Sequence, residues 1–183
     1  MTKLNAKELR KSKPTENDIK NIKKNPIYIV LDNVIDTYNI GSLFRLADAI
    51  AAEKMFLCGM TEYPPNSRIH KAAVGTEEWV PWERKETTTE VLKNLRTKGV
   101  QIIAVEQSTK SIPCTDLGGA SSAYSLHFPC AIVVGSETTG VSKDVLNLAD
   151  IIIELPMFGV NKSLNVWGSA AVIAYKVIEE LRQ

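Results

Sequence analysis

Histidine, cysteine and long apolar runs are all scarce in this chain. Its 183 residues include two histidines, His70 and His127, and three cysteines, Cys58, Cys114 and Cys130. The cysteines are odd in number, far apart and never form C-x-x-C, so no zinc-ligand spacing and no disulfide framework is present. The expectation is no metal, and thiols buried as small apolar groups. No apolar run approaches the roughly 20 residues of a membrane helix. No apolar stretch follows the N-terminal lysines, as a secretory signal would require. Together these absences point to a cytoplasmic protein with no membrane partner. The nucleotide-binding glycine signatures are missing too. G-x-G-x-x-G does not occur, and the nearest approach to a P-loop has Val141 where lysine is needed. That weighs against a nicotinamide-binding Rossmann enzyme and against a P-loop phosphate site.

Hydrophobic residues make up 44% and charged residues 23% of the chain, as in a globular domain large enough to bury its own core. The net charge is only +1, but it is unevenly spread. Residues 1–24 hold eight Lys or Arg against three acids, an excess of +5, which leaves −4 for the remainder. Asn25-Pro26 marks a boundary. Residues 1–25 therefore read as a basic extension, either an arm that touches a polyanion or a solvated tail. Residues 26–183 read as one domain.

Along that domain, apolar runs of strand length alternate with helical patterns. IYIVLDNV, KMFLCG, VQIIAVEQ, CAIVVGS and DIIIELP read as strands. Helices are expected at about 39–51, at 86–99 and 142–150, and over the C-terminal stretch from Leu164, with a short one within RIHKAAVGTEEW. Residues 108–129 are rich in Ser, Gly and Pro and read as irregular. The strands are apolar throughout, not alternating. This pattern predicts an α/β fold with a mainly parallel sheet covered by helices on both faces. The last helix is apolar or small on nearly all sides from Leu164 to Tyr175, so both of its sides should be covered, one by the core and the other by core or a second subunit.

Three segments can carry chemistry. In NIGSLFRLAD (39–48), Ile40, Leu43, Phe44 and Ala47 form a buried stripe, and Arg45 points away from it. The plain reading of Arg45 is an exposed pair with Asp48. VVGSETTG (133–140) is a strand followed by a glycine-bounded loop at a strand's carboxyl end, where open α/β sheets bind ligands. Glu137 inside it opposes a phosphate ligand, since two anions repel. ELPMFGVNKSLNVWGSAA (154–171) is a strand end, a loop and a helix start, with Ser163 and Asn165 placed to cap the helix or to face a ligand. Trp79 and Trp82 flank a proline and read as core or edge packing rather than as base-stacking surfaces.

N-x-G-x-x-x-R at 39–45, V-V-G-S-E-x-x-G at 133–140 and L-P-M…S-L-N-V at 155–166, in that order, resemble the SpoU/TrmH family of S-adenosylmethionine-dependent RNA 2′-O-ribose methyltransferases. The resemblance covers about residues 26–182. It implies an α/β-knot fold with a C-terminal deep trefoil, which topology rules alone would have excluded. It also implies a homodimer with the active site at the interface. Carried over position by position, Gly135, Leu155, Met157, Leu164 and Ser163 would hold the methyl donor. Arg45, Asn39, Glu137, Ser163 and Asn165 would form the catalytic cluster. Arg45, Arg68 and Lys71 are the candidates for binding RNA. Two features depart from the family pattern: Trp167, where a small or polar residue is usual, and Thr138-Thr139, where glycine-rich sequence is common.

A ribose hydroxyl is a poor nucleophile, and a guanidinium is effectively always protonated. Arg45 is therefore expected to stabilise developing charge rather than to act as an ordinary base. tRNA is expected over rRNA, because no sizeable separate RNA-binding domain is visible. VGTEEWVPW and IIAVEQSTKS are similar to members acting on a D-loop guanosine. The competing expectations are a knotted base methyltransferase and a catalytically silent RNA-binding factor.

Overall fold

The computed structural model describes residues 14–117 and 124–182. Much of the expected basic extension, residues 1–13, lies outside the described residues. Seven strands form one sheet: β1 (Asn25–Asp32), β2 (Ala52–Cys58), β3 (Trp82–Lys85), β4 (Gln101–Val105), β5 (Ile112–Pro113), β6 (Cys130–Gly135) and β7 (Ile151–Glu154). Their order is β3-β2-β1-β6-β4-β7-β5, and every pairing between them is parallel. Six helices complete the described fold: α1 (Glu16–Lys20), α2 (Thr37–Ala49), α3 (Ser67–Ala73), α4 (Thr88–Thr97), α5 (Lys143–Leu146) and α6 (Val166–Leu181).

The strands lack hydrophobic alternation because both faces of the sheet are covered. Ile27, Ile29 and Leu31 pack into a core with Ile40, Leu43 and Phe44 of α2 and Ile173 and Val177 of α6. Val30 faces the other way, into a second core with Val91, Leu92 and Leu95 of α4 and Val145 of α5. Each such side chain contributes about 1.5–3 kcal/mol on burial. Burial also pushes the Cys58 and Cys130 thiols up to about 12, which leaves them inert. Cys114 is half-buried.

Several elements differ from the sequence expectation, each for a local reason. α2 starts at Thr37, earlier than Asn39, because the Asp36 carboxylate accepts the amide protons of Tyr38 and Asn39 at 2.7 and 3.1 Å and caps the helix. The expected helix over 142–150 is a single turn, Lys143–Leu146. Ser142 is not its side-chain cap, and its amide donates instead to the buried Asp32 carboxylate at 2.8 Å. The irregular segment contains the short β5 and a 3-10 turn at Cys114–Asp116. Asp48 does not pair with Arg45. It accepts the Trp79 indole N–H at 2.7 Å. Trp82 packs edge-on against Phe44 with ring centres 6.3 Å apart, so both tryptophans are packing residues.

The last helix was expected to have both sides covered. Within the chain, α6 buries only one: Ala170, Ile173, Ala174, Val177 and Ile178 face the core. Trp167, Val172 and Tyr175 are exposed. The strand order and the return of α6 onto α2 and β6 are consistent with the knotted topology that the resemblance implies.

Candidate functional site

The strand order reverses beside β1. From β1 the chain steps outward to β2 and β3, then crosses to build β4 to β7 on the other side. The carboxyl ends of β1 and β6 meet at this switch point, with Asp32 opposite Gly135. Open parallel sheets bind ligands at such a place, because the loops on its two sides diverge.

A cavity of about 620 Å³ opens beside the switch point, over the carboxyl ends of β6, β4 and β7. Its walls come from the ends of β4 (Val105–Gln107), β6 (Val134–Gly140) and β7 (Ile153–Leu155, Met157), and from the start of α6 (Ser163–Val166, Ser169). All the donor-site candidates read from the sequence line it: Gly135, Leu155, Met157, Ser163 and Leu164. Glu137 and Asn165 do as well.

The β6 loop is closed by its own backbone. Ser136 and Gly140 exchange amide-to-carbonyl bonds at 3.1 and 2.8 Å. Gly140 sits at φ +67°, and a Cβ on it would strike the Glu106 carboxylate. That carboxylate accepts the amides of Val141 at 2.7 Å and Gln107 at 2.8 Å. Glu106 thus fixes the loop from β4, a task no motif revealed. Gln107 does the same for the third segment, donating its side-chain amide to the Lys162 carbonyl at 2.6 Å. Asp32 is a further residue that sequence reasoning missed. Buried at the end of β1, it accepts from Thr88 Oγ1 at 2.6 Å and from Ser142 N. Glu106 and Asp32 both sit at the carboxyl ends of apolar runs, and that placement was the one available signal.

Asn39, Glu137 and Asn165 come together from three distant segments. The Asn39 side-chain amide donates to Glu137 Oε1 at 2.8 Å, and the Asn165 amide donates to Asn39 Oδ1 at 3.0 Å. Glu137 also accepts the backbone amides of Ile35 and Asp36, each at 3.3 Å. Asn165 Oδ1 accepts from Trp167 N at 3.0 Å, which makes Asn165, not Ser163, the cap of α6. One residue therefore both starts the helix and joins the cluster.

Arg45 is not drawn into this network. It is exposed on α2, six residues past Asn39, about 9 Å further along the helix. Among the described residues its guanidinium has no hydrogen bond or ion pair, and it does not line this cavity. Arg68 and Lys71 are exposed on α3. Arg68 lines a second cavity of about 660 Å³, formed by residues after β1 (35–38) and after β2 (Glu62, 66–68).

The first cavity is anionic. Glu106, Glu137 and Glu154 line it, and no Lys, Arg or His does. Such a lining repels phosphate and suits a ligand carrying positive charge. No helix among the described residues is long and apolar enough to cross a membrane.

Comparison with known proteins gives the same direction. The model of the SpoU rRNA methylase family matches residues 26–175. The chain is 28% identical over 160 residues to the 23S rRNA (guanosine-2′-O-)-methyltransferase RlmB of Neisseria meningitidis, covering 86% of this chain and 60% of that protein. It is 28% identical over 151 residues to the tRNA (guanosine(18)-2′-O)-methyltransferase of Escherichia coli, covering 81% of this chain and 61% of that protein. It thus spans about three-fifths of the length of these relatives. Its fold is similar to that of the SpoU methyltransferase AviRb from Streptomyces viridochromogenes in complex with the cofactor AdoMet. The TM-score is 0.75 with 20% identity, and the match covers 92% of this chain and 65% of that one.

Proposed function

The chain belongs to the SpoU rRNA methylase family, and on that premise we propose that it is a cytoplasmic, dimeric RNA methyltransferase that uses S-adenosylmethionine to methylate a ribose 2′-OH. The observation that carries this reading is the anionic cavity over the ends of β6, β4 and β7, flanked by the Asn39–Glu137–Asn165 cluster. S-adenosylmethionine is a sulfonium cation, and three carboxylates with no opposing base suit it. The bound donor supplies an electrophilic methyl group. Gly135, Leu155, Met157, Ser163 and Leu164 hold it, largely through the backbone of three loops.

Asn39, Glu137 and Asn165 position the cluster. Glu137 ties the β6 loop to the start of α2, and Asn165 ties α6 to the same point. Arg45 supplies the positive charge that a developing alkoxide or its phosphate requires. Its exposed, unpaired state leaves its five donors available to RNA or to a second copy of the chain. That copy has a face to occupy: Trp167, Val172 and Tyr175 leave one side of α6 apolar and exposed. Light scattering after size exclusion is expected to give twice the chain mass at micromolar concentration. A monomer there would count against catalysis at an interface.

We take tRNA as the first substrate class. The relatives' names include both tRNA and rRNA, so the test presents both. Protein, radiolabelled S-adenosylmethionine and bulk tRNA or rRNA lacking ribose methylation are incubated, and the product is hydrolysed with alkali. Label in alkali-resistant dinucleotides from tRNA is the expected result. Label only in mononucleotides would replace ribose methylation with base methylation. Absence of label with intact donor binding would favour a silent RNA-binding protein.

A further inference from the structure

We propose that the second cavity seats the target nucleobase and that Glu62 and Tyr38 make it selective for guanine. The proposal rests on the ribose-methylation reading; guanosine is the nucleoside that the relatives' names print, and what is added is the residues of this chain that read it. Methyl transfer needs two recesses side by side, one for the donor and one for the acceptor nucleotide. The second cavity is about 660 Å³, within the ~300–1,000 Å³ of ordinary small-molecule sites. Its wall at Ile35 and Asp36 is hydrogen-bonded to Glu137, and Glu137 lines the first cavity. One carboxylate therefore bridges the two cavities, at the point where the Asn39–Asn165 cluster also sits.

The lining identifies the base. Glu62 is exposed at this cavity, and its carboxylate has no hydrogen bond or ion pair among the described residues. An ionised carboxylate only accepts, through two oxygens set side by side. Guanine is the one common base whose Watson–Crick edge offers two adjacent donors, N1–H and the N2 amino group. Adenine and cytosine each place a ring-nitrogen acceptor beside their amino group, and uracil places its single N–H between two carbonyls. Glu62 thus attracts guanine twice and sets an acceptor against an acceptor in each alternative. Tyr38 is 51% exposed on the same cavity and has no ring contact among the described residues, so its face is open for stacking. Single-stranded RNA bases are read in this way, by an aromatic platform and hydrogen bonds to the edge. Arg68 is the one cation on the lining and has no ion pair among the described residues, so it is placed for the nucleotide's phosphate.

The test is an NMR titration of the full-length chain with guanosine, adenosine, cytidine and uridine. Guanosine is expected to shift the amides of residues 35–38 and 62–68 and to bind about tenfold more tightly than the other three. Glu62→Gln, which replaces one acceptor with a donor, is expected to abolish that preference while its spectrum otherwise overlays the wild type. Tyr38→Ala is expected to weaken all four nucleosides alike. Guanosine that leaves these amides unmoved, or that binds E62Q as it binds wild type, overturns the proposal. The methylation assay separates this from the underlying reading. Guanosine binding here without any 2′-O-methyl product would sink the activity and leave the base site standing. Label on the ribose of cytidine or uridine would do the reverse.

Discussion

Replacing Arg45 with alanine is expected to lower the rate of methyl transfer by about 10²–10³-fold, with donor affinity changed less than about twofold, since Arg45 lines neither cavity. The reasoning is electrostatic. The cavity beside the cluster is lined by three carboxylates, so negative charge developing on a ribose oxygen meets no compensating cation there. Among the named positions of the three motifs, Arg45 is the one that brings a fixed positive charge. Arg45→Lys separates charge from shape, because lysine keeps the charge and loses the planar fork. An activity between those of alanine and wild type is expected. Single-turnover rates with pre-bound donor, beside calorimetric donor affinities, measure both quantities. A lysine variant with near-full activity would show that point charge suffices and that the bidentate contact is not used. An alanine variant that loses donor binding instead would move Arg45 out of the catalytic step.

Gly135→Ala is the substitution expected to damage the donor cavity most. A Cβ on Gly135 would lie 2.2 Å from both the Gly140 carbonyl carbon and the Val141 nitrogen, which is backbone and cannot rotate aside. That backbone is held in turn by the Ser136–Gly140 pair and by Glu106 on the Val141 amide at 2.7 Å. Relief therefore requires opening the loop, at about 3 kcal/mol or more. In a chain of this size that corresponds to a melting temperature lower by about 6–12 °C. Donor binding is expected to weaken along with it. Gly159→Ala is the control, because a Cβ there meets nothing within 4 Å; its effect is expected to stay within about 0.5 kcal/mol. Thermal melts with and without S-adenosylmethionine read both effects. A Gly135→Ala variant that melts with wild type would mean that the loop opens freely.

The parts of the fold that were legible in the sequence are those set by local chemistry. The apolar strands of β1, β4 and β6 are continuous because helices cover both faces of the sheet, and continuity of that kind can be read without coordinates. Gly135, Leu155, Met157, Ser163 and Leu164 could be picked out because the resemblance to the family carries its motifs onto them, and all of them line one cavity. Element limits were less legible. The start of α2 is set by a short-range bond, the Asp36 cap, whereas Ser142 before the Lys143–Leu146 turn is held by Asp32, 110 residues away, which no local pattern displays.

What the sequence by itself determined is the class of fold, the family and the segments from which a site could be built, because periodicity and motif order are properties of the chain. Only the tertiary structure decided which side chains meet. Asn39, Glu137 and Asn165 lie 98 and 126 residues apart along the chain, yet hydrogen-bond directly. Asp48, which sequence placed beside Arg45, was taken by Trp79 from 31 residues away. Glu106 carries no motif, and its hold on the β6 loop exists only because parallel strands deliver separate loops to one edge of the sheet. α6, apolar on nearly every side in sequence, proved to have one face in the core and one exposed. Composition can tell that a helix must be covered; only the packed chain shows which of its faces still lacks a partner.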